Sequence, residues 1–193
     1  MLRSGELTAV LPGVYAASDR AREWETRVAA LGLRQPDAVL VSATAARLTF
    51  WPELRATEVE CATSRDCRPR AGFRFHRRAV PPELVVERDG IRTTTPALTA
   101  VDLCTELGRE AIDQALLTRA ATLPGMWEAL ELTGGRRGHR DRRMLLLDSR
   151  DEPWSAAERL CHRLLREAGI SGWTGNGPVV VGGRKSSTSS SPA

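Results

Sequence analysis

The stretch Leu84-Val85-Val86-Glu87-Arg88-Asp89-Gly90-Ile91-Arg92-Thr93-Thr94-Thr95-Pro96-Ala97-Leu98-Thr99-Ala100-Val101-Asp102-Leu103-Cys104-Thr105-Glu106-Leu107 changes its period in the middle. Before Thr95 it reads as two short strands around Asp89-Gly90, a dipeptide that accepts the positive φ angles of a tight hairpin turn. After Thr95 the residues Ala97, Ala100, Val101, Cys104 and Leu107 fall on one helical face. Thr95 is placed to cap that helix, Pro96 suits its first position, and Gly108 ends it. A hairpin running straight into a helix predicts an α+β fold, a small mixed sheet with packed helices.

Working outward, Val59 to Ala62 and Phe73 to His76 read as further strands. Ala38 to Val41 reads as another, leading to Ser42 as the N-cap of a helix through Leu48. A helix from about Glu23 to Leu31, with Trp24, Val28 and Leu31 on one face, precedes it. The opening Gly5 to Ala16 alternates around Pro12-Gly13 as a β-hairpin, which is marginal alone and is expected to pack on that helix. Downstream, helical patterns run through Ile112 to Arg119 and Trp127 to Leu132, and weakly through Met144 to Leu147.

Asp148 to Pro153 reads as a linker. After it Ser155 and Glu158 have capping-box spacing, and Ala157, Leu160, Cys161, Leu164, Leu165 and Ala168 form an amphipathic stripe. Pro178 to Val181 is the strand expected to pack on that helix. From Lys185 to Ala193 the composition falls to serine, a stretch expected to be a disordered tail.

The chain has 193 residues, 41% hydrophobic, enough for a real core in one domain or two small ones. Net charge is only +4, but it is unevenly placed. Six arginines face one aspartate between residues 65 and 78, and six face two between 134 and 150. Clustered cations are what a phosphate-facing surface requires, which makes Arg3, Arg74, Arg77, Arg78, Arg136, Arg137, Arg140, Arg142 and Arg143 the candidate nucleic-acid contacts. The competing reading is a solvated face: Lys185 is the only lysine among 28 basic residues, a skew typical of a GC-rich genome.

Other chemistry is poorly supported by spacing. Cys61 with Cys67, and adjacent Cys161-His162, lack the separation that lets two ligands converge on zinc. On a helix adjacent residues diverge, so Cys161 is expected in a core and His162 outside it, rather than as nucleophile and base. Trp24, Trp51, Trp127, Trp154 and Trp173 are scattered singly, as core or interface residues are. No glycine-rich phosphate loop is present. With no secretory pattern and no apolar run near the roughly 18 residues of a spanning helix, the expected location is cytoplasmic, with reduced cysteines and no membrane partner.

Three stretches carry a resemblance. Arg3 to Leu7 with Pro12 to Ala16 resembles the end of a winged helix-turn-helix and its wing. Gly90 to Ala97 with Asp102-Leu103 resembles a "TTPART…DL" signature, and Trp154 to Glu158 with Gly169-Ile170 and Pro178 to Val180 resembles the start of a nuclease-like domain. Together they resemble a widespread actinobacterial family in which an AbiEi-type antitoxin-like module precedes a domain similar to very-short-patch-repair endonucleases. Leu98 stands where that signature usually has arginine.

The resemblance implies a wing remnant at 1–17, an antitoxin-like α+β domain at 18–150, a truncated nuclease-like segment at 151–184 with the start of a restriction-endonuclease-like fold, and a tail at 185–193. Nuclease domains of this kind hold a metal with acidic residues beyond the first strand; here the serine run follows instead. Glu158 is the only match to an active-site acid, a vestigial candidate, and one carboxylate does not hold a catalytic Mg²⁺ unaided. The expected function is therefore non-catalytic and regulatory, in a toxin-antitoxin system, without cofactor or metal, with DNA or a cognate toxin as partner. A degenerate nuclease, with Mg²⁺ only in that case, and a genomic remnant without selected function stand as the alternatives.

Overall fold

The computed structural model describes residues 6–64, 68–149, 156–173, 179–181 and 184–186. Its central element is a five-stranded mixed sheet. In chain order the strands are β3 (Val39–Leu40), β4 (Val59–Thr63), β5 (Phe73–Arg77), β6 (Val85–Arg88) and β7 (Ile91–Thr94), and in space they run β5-β4-β3-β7-β6. β3 lies antiparallel to β4 and parallel to β7, β4 is parallel to β5, and β6 is antiparallel to β7. The expected small mixed sheet with packed helices is thus present.

The opening stretch decides the fold as its two periods demand. Asp89 and Gly90 take φ angles of 52° and 73°, which closes the β6–β7 hairpin in the register Arg88 to Ile91. α3 (Pro96–Leu107) follows at once. The Thr95 hydroxyl accepts from the Leu98 amide at 3.3 Å, and Gly108 ends the helix at φ 64°. The Thr94 and Thr99 hydroxyls hydrogen-bond each other at 2.6 Å, tying the last residue of the strand to the second turn of the helix.

A first hairpin, β1 (Leu7–Leu11) with β2 (Val14–Ala17), turns at Gly13 and packs on α1 (Trp24–Arg34). Val10, Leu11, Val28 and Leu31 are buried with Leu40, Val59, Cys61 and Phe73, so hairpin and helix cover one face of the sheet. Arg70 donates to the carbonyls of Ala9 and Val10 and fastens the hairpin to the sheet edge. α2 (Ser42–Thr49), α3, α4 (Glu110–Leu117), α5 (Leu123–Leu132) and α6 (His139–Asp148) enclose a second core that includes Phe50, Val101, Leu103, Ile112, Met126, Leu130 and Leu146.

Three local expectations are corrected. Ser42 is not an N-cap: it is the first residue of α2, at φ 51°, and no side chain caps the helix. Thr44 instead accepts from the Glu60 amide at 2.8 Å and donates to the Glu58 carbonyl, joining α2 to β4. α5 and α6 begin earlier than their apolar periodicity indicates, α5 because Thr122 caps it and Pro124 sits in its first turn, α6 because its first turn is nearly all polar.

On α7 (Ala156–Glu167) the expected sides are reversed: Cys161 is exposed, and His162 is buried with its ring 4.6 Å from that of Trp173. Leu160 and Leu164 are also exposed, so the apolar stripe faces outward, and the large Trp173 ring draws the imidazole in. β8 (Val179–Val181) pairs antiparallel with β9 (Arg184–Ser186), so Lys185 and Ser186 of the expected tail lie in a strand. Backbone pairing of this kind needs no apolar side chain. Arg3, Cys67, Trp154 and Ser155, the first residue of the expected capping box, lie outside the described residues, as does the side chain of Glu158.

Candidate functional site

Asp102 sits in the middle of α3, between buried Val101 and Leu103, with its own side chain only 5% exposed. A carboxylate so placed must find cations or hydrogen-bond donors, because desolvation of an unpaired charge costs several kcal/mol. Three arginines from three other segments supply them. Arg78, just after β5, donates from Nη2 to Oδ2 at 2.7 Å. Arg136, between α5 and α6, places Nη1 at 3.2 and 3.4 Å from the two carboxylate oxygens.

Arg142, on α6, lies 3.8 Å from Oδ1 and is held more firmly by the backbone: Nε donates to the Val101 carbonyl at 3.1 Å and Nη1 to the Arg137 carbonyl at 2.7 Å. Gly138 opens α6 at φ 79°, where a Cβ would approach the Thr105 methyl to 3.4 Å. That close approach brings the Arg136–Arg142 segment against α3.

The cluster is not neutral. Three guanidiniums share one carboxylate, leaving two positive charges in excess among side chains that are only 25, 19 and 11% exposed for Arg78, Arg136 and Arg142. Burial, reinforced by the like charges of Arg78 and Arg142, lowers the Arg136 pKa below the usual guanidinium value; the Asp102 carboxylate opposes the shift. Nearby, burial pushes the Cys104 thiol up to about 11, and its Sγ–H donates to the Val101 carbonyl. Such a thiol stays protonated and is no nucleophile.

A second polar group lies at β4 and β5. His76 Nε2 is 3.0 Å from Glu60 Oε2, and Arg74 bonds Glu58 while approaching Glu60 at 3.9 Å. Two carboxylates thus face one arginine and one histidine.

The structure therefore divides the arginines that charge clustering singles out. Arg78, Arg136 and Arg142 converge on Asp102, where Arg142 has almost no surface left to offer a phosphate. Arg74 is exposed but paired with Glu58. Arg77, Arg137, Arg140 and Arg143 are exposed, and the Arg143 guanidinium lies 5.8 Å from the Trp127 ring centre. Asp102 itself was not among the sequence candidates. Its position gave no signal: it lies opposite the Ala97–Leu107 stripe, on a side of α3 that only the packed structure shows to be buried.

Among the described residues no group of His, Cys, Asp and Glu is arranged to hold a metal ion, and no helix is long and apolar enough to cross a membrane. Residues 36–145 match the family described as the AbiEi antitoxin C-terminal domain, more than half of the chain. The chain belongs to the AbiEi antitoxin family. The AbiEi match runs from the turn before β3 into α6, so it takes in the whole five-stranded sheet and the Asp102 cluster, and leaves the first hairpin, α1 and α7 outside it. Comparison with curated proteins and with solved structures returned no match.

Proposed function

We propose that this chain is an antitoxin-type regulatory protein that works by binding and performs no chemistry of its own, with a cognate toxin as protein partner and DNA phosphates as the ligand of its exposed arginines. The observation that carries this reading is the sorting of the arginines. Arg137, Arg140 and Arg143 lie exposed on one short stretch leading into and along α6, while the neighbouring Arg136 and Arg142 anchor that stretch to α3 through Asp102. A cationic surface on a braced backbone holds its charges in place, as electrostatic recognition requires.

In this reading the β1–β2 hairpin is the wing of a winged helix-turn-helix, residues 18–150 form the antitoxin-like unit, and residues 151–184 carry a nuclease-like pattern in which Glu158 is vestigial and no metal is held. The arginine skew fits the actinobacterial type. Electrophoretic mobility of duplex DNA measured against salt tests the DNA part, since affinity from phosphate contacts falls steeply with ionic strength. Retardation at low salt that disappears at higher salt is expected. Its absence would leave the toxin as the partner of this surface.

A further inference from the structure

The arginine cluster at Asp102 has more positive charge and more donors than its one carboxylate can use. Arg78 bonds through Nη2 alone and Arg136 through Nη1 alone; Nε and Nη1 of Arg78, and Nε and Nη2 of Arg136, make no hydrogen bond among the described residues. The Nε of Arg78 is buried without a partner. A cluster serving only to hold α3, α6 and the end of β5 together would be expected to balance its charge, because uncompensated buried charge is costly.

We infer that the guanidiniums of Arg78 and Arg136, braced by Asp102 and Arg142, form a binding site for a terminal phosphate dianion, free or carried on a nucleotide. The charge argues for this class. A phosphomonoester near neutral pH carries about −1.5 to −2, which matches the excess of two, and offers three strong acceptor oxygens to planar donor forks. The partial burial of the guanidiniums argues for a terminal group. Side chains only 11 to 25% exposed admit a small projecting anion, whereas the phosphodiesters of duplex DNA lie along a continuous backbone and each carry a single charge.

Asp102 acts as the positioning residue: it fixes Arg78 and Arg136 in one orientation before the anion arrives, and Arg142, held by the Val101 and Arg137 carbonyls, keeps α6 against α3. The inference does not rest on the DNA or toxin reading, since the arginines involved are those withdrawn from the exposed surface.

Nitrogen-15 NMR of the arginine Nε–H groups on the full chain, with inorganic phosphate added against chloride at equal ionic strength, tests it. The Arg78 Nε–H resonance is expected to shift saturably with phosphate, and a nucleoside 5′-monophosphate to compete at the same site if the nucleotide is the source. In Arg136→Gln the phosphate affinity should fall at least tenfold with the fold intact by circular dichroism. If that variant does not fold, the wild-type titration still decides. No saturable shift of Arg78, an equal shift with chloride, or a shift produced by duplex DNA but not by phosphate would each overturn the inference.

Discussion

Asp102 has the most to lose from a single substitution. Replacing it with asparagine keeps the shape but leaves three clustered guanidiniums without a countercharge, and breaking a buried ion network from one side costs about 3–5 kcal/mol. Denaturant unfolding of Asp102→Asn should show a loss of that size. Glu23→Ala removes the partner of Arg20 in a pair whose side chains are 65% and 43% exposed and should change stability by less than about 1 kcal/mol. Equal losses at the two positions would contradict the buried-network reading.

Cys104 provides a second test at the same scale. Its thiol pKa is raised from the ordinary 9.0 to about 11 in the folded chain by burial. The folded state therefore keeps a proton that the unfolded state releases, so its stability contribution is full below about pH 9 and is lost as pH rises toward 11. Cys104→Ala should flatten that part of the stability profile. Neither the burial of Asp102, which lies opposite the predicted apolar stripe, nor its partners were legible in sequence: Arg78 and Arg136 lie 24 and 34 residues away, and only the packed helices bring them together.

Among the elements, the β6–β7 hairpin with α3 was the most legible, because Asp89-Gly90, Thr95-Pro96 and the helical stripe each signal a different feature and all three agree. Thr95→Ala removes the cap bond to Leu98 and should cost about 1 kcal/mol by thermal or denaturant unfolding. Leu98 is fully buried with Leu84 and Ala129; Leu98→Ala should cost about 2–5 kcal/mol.

α6 was less legible. Its first half reads as an arginine-rich loop because Arg142 is buried through its guanidinium rather than through an apolar side chain, and hydrophobic periodicity does not register that. Ser42 misleads in the opposite direction: its residue type suits a cap, but the strand-to-helix turn holds it at positive φ.

Across the whole molecule, the three buried clusters of the described residues run from Val10 to Leu146, through the hairpin, the sheet, α1 to α6 and the segments that join them. A chain ended after Arg150 should therefore unfold in one cooperative transition with a melting temperature close to that of the full chain; a broad transition would show that the later residues complete the core. Charge clustering correctly marked where arginines concentrate along the chain. It could not separate those anchored to Asp102 from those on the surface, because both groups alternate within a few residues of one another.

That separation is tested most directly by the salt dependence of DNA retardation, comparing wild type with the triple variant Arg137→Gln, Arg140→Gln, Arg143→Gln. Each lost phosphate contact should reduce the slope of log affinity against log salt by about 0.9, so the triple variant should show a clearly shallower slope with an unchanged melting temperature. Retardation with the same slope in both proteins, or none for wild type even at low salt, would contradict the assignment of this surface to DNA phosphates.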